Sequence, residues 1–105
     1  MYEYGLGELS WEENANETVS VRGFIARKYA PSRRIMPRTF SFDLMDQFGR
    51  VVVDVSFSWR RYQSIDQGTS VLLVNAVVYK ESGLCVHLYL PDPKNNVLTV
   101  PPTRA

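Results

Sequence analysis

Residues 38–57 of the chain read RTFSFDLMDQFGRVVVDVSF, and this stretch decides the predicted fold. Apolar residues occupy positions 40, 42 and 44 in its first half and positions 51, 53, 55 and 57 in its second half. Alternation with a period of two predicts strands that have one buried face and one solvated face. The DQFG segment at 46–49 is typical of a turn, because aspartate can bond its own backbone and glycine accepts a positive φ. The stretch is therefore a predicted β-hairpin.

The remaining composition limits the kind of protein. A chain of 105 residues is long enough for one domain with a single hydrophobic core. It has one cysteine, Cys85, and one histidine, His87, so an intrachain disulfide and a zinc site built from Cys or His are excluded. No apolar stretch reaches transmembrane length, and the N-terminus does not resemble a signal peptide. We expect a soluble, intracellular protein without metal or cofactor.

Charge is distributed unevenly, although the net charge is only +1. Residues 1–21 contain five acidic side chains and no basic one, whereas residues 22–38 contain six basic side chains and no acidic one. A concentrated block of one sign says more about partners than the mean charge does. The basic block is therefore the first candidate for a binding surface.

Three further strands, a possible short edge strand and one helix are predicted around the hairpin. The first strand spans residues 18–29, with Val19 and Val21 inward, and it bends at Gly23, where we expect the alternation to change phase. The SWRRYQSI segment at 58–65 has the apolar spacing of a short helix, and its Trp59 and Tyr62 are expected to close one end of the core. A very apolar fourth strand follows at 70–80.

The end of the chain completes the predicted sheet. The fifth strand spans 84–90, with Leu84, Val86, Leu88 and Leu90 on the buried face and Cys85, His87 and Tyr89 on the other face. Residues 97–100 can form a short edge strand. We predict an acidic lead-in at 1–17 that packs Leu9 or Trp11 on the domain edge, one folded domain at 18–100 and a tail at 101–105.

Five strands, a bent first strand and a short helix between strands three and four describe an all-β, five-stranded Greek-key barrel, the OB-fold. The TFSFDLMDQFG segment at 39–49 resembles the second strand and turn of the OB domains of replication protein A, which carry a similar Phe-Ser-x-acid-Leu-x-Asp-x-x-Gly run. The chain as a whole is similar to the replication protein A and telomere-protein class of OB-fold proteins. The QGTSV segment at 67–71 is also similar. The resemblance extends over roughly residues 19–90 and supports the fold more strongly than the function.

The resemblance implies binding of single-stranded DNA, or of RNA, across the outer face of strands two and three. Such domains combine a basic groove with aromatic side chains on which bases stack. The loop at 30–37, together with the strand before it, interleaves arginines with Tyr29. The candidate nucleic-acid-binding residues are Arg22, Arg27, Lys28, Tyr29, Arg33, Arg34, Arg38, Arg60, Arg61, Tyr62 and His87. A replication, repair or telomere-maintenance assembly in the nucleus, with other protein subunits, is the implied setting.

Three features keep a second hypothesis open. Asp43 and Asp54 are expected to project from the outer face, where carboxylates repel phosphates, and Ser56 stands where the family places a stacking aromatic. A non-catalytic scaffold subunit, whose OB domain binds protein and binds DNA weakly or not at all, would explain all three. An enzyme is not predicted, because the sequence offers no spaced nucleophile and base and no glycine-rich phosphate loop. Neither hypothesis includes a membrane or a small-molecule substrate as a partner.

Overall fold

The computed structural model describes residues 3–29, 39–56, 65–91 and 96–100. Within these ranges the chain forms seven strands, a 3-10 helix at Leu6–Glu8 and a one-turn helix α1 at Trp11–Asn14. The strands are β1 (Glu3–Tyr4), β2 (Thr18–Lys28), β3 (Thr39–Met45), β4 (Arg50–Ser56), β5 (Ser70–Ser82), β6 (Cys85–Leu90) and β7 (Val97–Thr99). The loop at 30–37 and residues 58–64 of the predicted helix at 58–65 lie outside the described residues.

Strands β2 to β6 close into a barrel and correspond to the five strands that the sequence predicts. Antiparallel pairs join β2 to β3, β3 to β4, β6 to β5 and β5 back to β2, while β4 and β6 are parallel neighbours. Strands β1 and β7 extend the sheet beside β2 and β5. A closed five-stranded barrel in which β4 lies next to β6 rather than β5 has Greek-key connections. The all-β, five-stranded barrel is confirmed.

Strand β2 takes part in both halves of the barrel. It pairs with β5 through residues 18–24 and with β3 through residues 24–28. A Cβ on Gly23 would lie 2.6 Å from the carbonyl oxygen of Met45, so glycine is needed where β3 approaches. The prediction that this strand serves two sheets is confirmed, but the predicted phase change at Phe24 and Ile25 is wrong. Val21 and Ile25 are both fully buried, and the register shifts lie on either side of Gly23.

The β3–β4 hairpin forms the centre of the core, as its alternation predicts. Phe42 and Val53 are paired across the two strands and are 2% and 0% exposed. The turn between the strands is closed by Asp46, whose Oδ1 accepts hydrogen bonds from the backbone N–H groups of Phe48 (2.7 Å) and Gly49 (2.8 Å). Each bond satisfies a donor that the sheet leaves unpaired, so local chemistry sets the register of the hairpin.

The β5–β6 hairpin departs from the prediction at its tip. Val86, Leu88 and Leu90 are buried as expected, but Leu84 is fully exposed. It is the second residue of a two-residue turn that begins with Gly83, and the strand begins only at Cys85. The φ of +64° at Gly83 is typical of a tight hairpin.

The N-terminal segment packs against the barrel beside the β3–β4 turn. Leu6 is 3% exposed within the core, and its backbone N–H donates to Asp46 Oδ2 at 3.0 Å. Leu9 and Trp11 are partly buried against the same core, as the sequence predicts for this segment. In the part of the chain that the structure describes, none of the helices has the length and apolar character needed to cross a membrane.

Candidate functional site

The outward side chains of β3 and β4 lie in rows that run across four strands. One row begins at Tyr29, whose backbone N–H donates to the carbonyl oxygen of Ser41 at 2.9 Å. Ser41 is paired with Asp54 on β4, and Asp54 is paired with Tyr89 on β6. This set is called the aromatic-ended row, because a tyrosine stands at each end.

A second row lies beside the first. Each of its members on β2, β3, β4 and β6 is two residues away in sequence from a member of the first row. Arg27 is paired with Asp43, Asp43 with Val52, and Val52 with His87. Lys80 on β5 is paired with His87 and ends the row. This set is called the cation-ended row. Because two residues of a strand span about 7 Å, the two rows run side by side at that spacing.

Asp43 connects the two rows near β2. Its carboxylate accepts the Tyr29 hydroxyl at 2.9 Å and lies 3.4 Å from Arg50 Nη1, and Asp43 is only 4% exposed. The guanidinium carbon of Arg27 lies 4.9 Å from the centroid of the Tyr29 ring, within the range of a cation–π contact. The hydrogen bond to Asp43, followed by burial, raises the pKa of Tyr29 above its ordinary value. Tyr29 is therefore held as a neutral donor in one orientation.

Asp54 forms a second, more enclosed cluster. Its carboxylate accepts the hydroxyls of Ser41 and Tyr79, and Nδ1 of His87 lies 3.0 Å from Oδ2. Burial alone would raise the pKa of Asp54, but the hydrogen bonds from these three partners outweigh it, so the pKa is lowered. Burial and the bond to Asp54 raise the pKa of Tyr79 well above its ordinary value. The cluster thus contains an ionised carboxylate surrounded by neutral hydroxyl donors.

Tyr79 also organises the aromatic rings at the β6 end. Its ring centroid lies 6.4 Å from that of His87 and 6.0 Å from that of Tyr89, in edge-to-face arrangements. The ammonium of Lys80 lies 5.5 Å from the centroid of Tyr79. Tyr89 is the more open ring at 38% exposure, whereas the His87 side chain is 14% exposed. An aromatic surface with an adjacent cation therefore faces solvent at this end.

Comparison with solved structures identifies the barrel. An OB domain from Thermoplasma acidophilum superposes with a TM-score of 0.70, 15% identity and coverage of 98% of this chain and 91% of that chain. Schizosaccharomyces pombe Pot1pC bound to ssDNA (CGGTTACGGT) gives 0.68 and 8%, covering 95% and 87%. The second OB-fold domain of replication protein A from Methanococcus maripaludis gives 0.59 and 14%, covering 99% and 100%. The chain has an OB fold.

Two further comparisons limit what this OB domain shares with its neighbours. An aspartyl-tRNA synthetase chain from Leishmania major Friedlin superposes with a TM-score of 0.70 and 14% identity over 98% of the present chain, which spans only 21% of that chain. No protein-family profile and no curated protein sequence matches the chain. Identities of this size establish the OB fold, and they leave the function to be argued from the site.

The structure changes the interpretation of the two acidic residues. The predicted outward register of Asp43 and Asp54 is correct, but the expectation that they present open carboxylates to a ligand is wrong. They are 4% and 7% exposed, because Tyr29 and Arg50 cover the first and Tyr79 and His87 cover the second. The covering side chains keep a phosphate from direct contact with either carboxylate, and Arg50 offsets the charge of Asp43.

The candidate residues from the sequence fall into three groups. Arg27, Tyr29 and His87 lie together on the outer face of the OB barrel, in the two rows. Arg22 lies where β2 pairs with β1 and β5, and its Nη2 is 3.1 Å from Glu3 Oε1, while Lys28 is paired with the inward-facing Phe42. The remaining candidates lie outside the described residues: Arg33, Arg34, Arg38, Arg60, Arg61 and Tyr62.

Sequence reasoning missed Arg50 and Tyr79. A strict alternation from the buried Val71 and Leu73 would turn Tyr79 inward, but Asn75 has a φ of +58° and shifts the phase, so Ala76 and Val78 are buried instead. Asparagine within a strand is a signal for this left-handed conformation and could have suggested the shift. Arg50 gave no signal beyond its place at the start of a strand.

The chemistry of the described face is that of a binding surface. Across residues 3–29, 39–56, 65–91 and 96–100, no group of three or more His, Cys, Asp or Glu side chains is placed to hold a metal ion. The sequence-based prediction that the protein is not an enzyme stays a prediction. The face offers cations, neutral hydroxyl donors and aromatic rings, which suit an anionic ligand that carries flat rings.

Proposed function

We propose that this OB domain binds single-stranded nucleic acid, single-stranded DNA in the first place, across the outer face of β2, β3, β4 and β6. The observation that carries the proposal is the cation–π contact between Arg27 and Tyr29, in which the guanidinium carbon lies 4.9 Å from the ring centroid. The hydroxyl of the same ring is fixed by Asp43. A positive charge next to a fixed aromatic ring matches the two parts of a nucleotide, its phosphate and its base. Fixing the ring beforehand lowers the entropic cost of binding.

The electrostatics of the face support the same ligand. Its two carboxylates are covered, while Arg27 and Lys80 are exposed and Arg50, with a side chain that is 48% exposed, remains partly open. The segment at 30–38, which lies between β2 and β3 in the chain, adds three arginines and no acidic residue. Each phosphate neutralised by such a side chain releases counterions, which favours binding at moderate salt.

The setting of this activity is a further part of the proposal. The domain acts with other protein subunits in the nucleus, in an assembly for replication, repair or telomere maintenance. Support comes from the sequence resemblance to replication protein A and from the fold shared with Pot1pC, whose structure contains ssDNA. Affinity purification of the tagged protein, followed by identification of its partners and imaging of its location, tests this part separately.

Fluorescence anisotropy with labelled single-stranded oligonucleotides at two salt concentrations tests the central proposal. We expect binding that weakens with salt, and Arg27→Ala should weaken it further and reduce the slope of log affinity against log salt by about 0.7, one phosphate contact. Arg22→Ala is the matched control, because Arg22 is on the same strand but is paired with Glu3 away from the face. Equal losses in the two variants would place the interface elsewhere.

A second candidate function has its own observation. Phe24 on β2 and Leu98 on the edge strand β7 are 41% and 46% exposed. Exposed apolar side chains beside a sheet edge are suited to a protein partner, as in the scaffold hypothesis. If the wild-type protein binds no DNA or RNA oligonucleotide even at low salt, the nucleic-acid proposal fails and the scaffold function becomes the better one.

A further inference from the structure

A tyrosine ring stands at each end of the aromatic-ended row, and different neighbours hold the two rings in place. At the β2 end, Tyr29 is fixed by Asp43 and has Arg27 beside it. At the β6 end, Tyr89 packs against Tyr79, whose hydroxyl donates to Asp54. Both rings are therefore connected to a buried carboxylate. Tyr29 is connected through its own hydroxyl, and Tyr89 through the neighbouring Tyr79. Both ends lie on the proposed binding face, and the β2 end carries the contact between Arg27 and Tyr29 on which that proposal rests.

The β6 end has the elements of a second nucleotide subsite. Tyr89 is 38% exposed, so part of its ring is open to a stacking base. Tyr79 lies behind it at 6.0 Å and 65° and limits its movement. Lys80 is exposed and stands one row away, with its ammonium 5.5 Å from the Tyr79 ring. The phosphate of a nucleotide whose base stacks on Tyr89 would lie near Lys80. Lys80 would then have the role at the β6 end that Arg27 has at the β2 end.

The rows also give the path between the two subsites. Tyr29, Ser41, Asp54 and Tyr89 are neighbours in register across four strands, which lie about 4.8 Å apart. The two tyrosines are therefore separated by about 14 Å along the sheet. The cation-ended row runs parallel to this line and carries Arg27 and Lys80 at its ends. One continuous strand can place bases along the first row and phosphates along the second.

We propose that Tyr89, backed by Tyr79 and flanked by Lys80, is a second base-stacking subsite that takes an unpaired nucleobase of the same strand whose other bases lie at Tyr29. This inference rests on the proposed function. A single strand is required, because bases paired in a duplex cannot lie flat on a protein ring. The two subsites act as a bivalent contact, so affinity depends on whether the oligonucleotide is long enough to reach both.

The test measures affinity for a series of oligothymidylates from about three to about twelve nucleotides, a range chosen around the site size of one OB fold. For the wild type we expect a step in affinity at the length that first spans both tyrosines. Tyr89→Ala should remove this step and lower the affinity for the longest oligonucleotide by about tenfold to a hundredfold, the value of one stacked base. Tyr89→Phe, which keeps the ring, should retain the step.

Controls separate the possible failures. Leu98→Ala removes a comparably exposed apolar side chain, 46% exposed, from β7 and should retain the step. If the wild type binds and Tyr89→Ala keeps both the step and the affinity, the second subsite is refuted while the proposed function stands. If the wild type binds no oligonucleotide at any length, the proposed function itself fails and the subsite with it.

Photo-crosslinking of the wild-type protein tests the same path without a substitution at Tyr89. A 5-iodouracil base placed at one end of a spanning oligonucleotide and irradiated on the wild-type protein should crosslink to the peptide that contains Tyr89. The same base at the opposite end should crosslink near Tyr29. Crosslinks to the Tyr29 peptide from both ends, with none at Tyr89, would overturn the proposed path.

Discussion

The two faces of the β3–β4 hairpin use the same backbone for different purposes. On the inner face Phe42, Val53 and their neighbours are closely packed, and stability comes from apolar area removed from water. On the outer face Asp43 and Asp54 are almost as well covered, but by hydroxyls, an imidazole and a guanidinium. At these two positions the aspartates differ from the core residues in the type of partner rather than in burial.

The outer face itself contains two kinds of carboxylate site. Asp43 is paired with a partly open cation, Arg50, so its cluster is electrostatic and lies near solvent. Asp54 instead accepts hydrogen bonds from Ser41, Tyr79 and His87, which are all less exposed than Arg50. The first cluster has in Arg50 a cation that an incoming anion can reach, while the second fixes the rings beside it. The outer face thus combines one carboxylate held by a partly exposed cation with one held by half-buried hydroxyls and an imidazole.

The largest expected effect tests the inner face. Phe42→Ala should lower the free energy of unfolding by about 3–5 kcal/mol, because it removes a buried ring and leaves a cavity. Denaturant unfolding measures it. The matched control is Phe48→Ala, which removes a ring that is 74% exposed and should change stability by less than about 0.5 kcal/mol. A loss below about 1 kcal/mol for Phe42→Ala would mean that the faces are reversed.

The enclosed cluster of the outer face should also contribute to stability. Asp54→Asn keeps the shape but removes the charge that accepts three hydrogen bonds, and it should cost about 1–3 kcal/mol in the same unfolding experiment. Asp66→Asn, at an exposed position, is the control and should be nearly neutral. If Asp54→Asn is also neutral, the cluster does not hold the outer face together.

The pH dependence of stability provides an independent check on the same cluster. The pKa of Asp54 is lower in the folded state than its ordinary value of about 3.9, so its stabilising effect is complete above that pH and is lost as the pH falls through the folded pKa. The difference in stability between wild type and Asp54→Asn should therefore shrink on acidification below about pH 4. A difference that stays constant down to about pH 2 would contradict the lowered pKa.

The binding role of the Asp43 cluster is tested by Tyr29→Ala. Loss of the ring should weaken single-stranded DNA binding by about 1–3 kcal/mol and leave the salt slope nearly unchanged, because stacking releases few counterions. Tyr29→Phe keeps the ring but loses the hydroxyl that donates to Asp43, so it should lose less affinity. Anisotropy titrations give both quantities. An affinity loss accompanied by a large fall in slope would indicate that Tyr29 acts through charge.

The smallest expected effect on stability concerns the arginines between β2 and β3 in the chain. Arg33→Ala combined with Arg34→Ala should reduce the salt slope by about 1.4, from two phosphate contacts at about 0.7 each. The melting temperature should remain close to that of the wild type. An unchanged slope would show that these side chains do not contact phosphates, and the proposed interface would then be limited to the sheet.

Much of the barrel followed from period-two alternation, since one-face burial forces neighbouring residues to opposite sides of a strand. The alternation gave the faces of the β3–β4 hairpin and the inward Val86, Leu88 and Leu90, and Gly23 lies where β2 changes its partner from β5 to β3. The prediction failed at Leu84, because β5 continues to Ser82 and the turn consists of Gly83 and Leu84, and at residues 24–25, where the strand kept its phase.

The sequence alone thus determined which residues are apolar at every second position, where glycine and aspartate permit turns, and that the basic residues form a block without acids. Only the tertiary structure decided what those residues meet. The positive φ of Asn75 turns Tyr79 toward Asp54, and the parallel pairing of β4 with β6 brings His87 and Tyr89 beside residues far away in the chain. Pairing between distant segments depends on barrel closure, which local alternation does not encode, and therefore the site on the outer face emerges only once the sheet has closed.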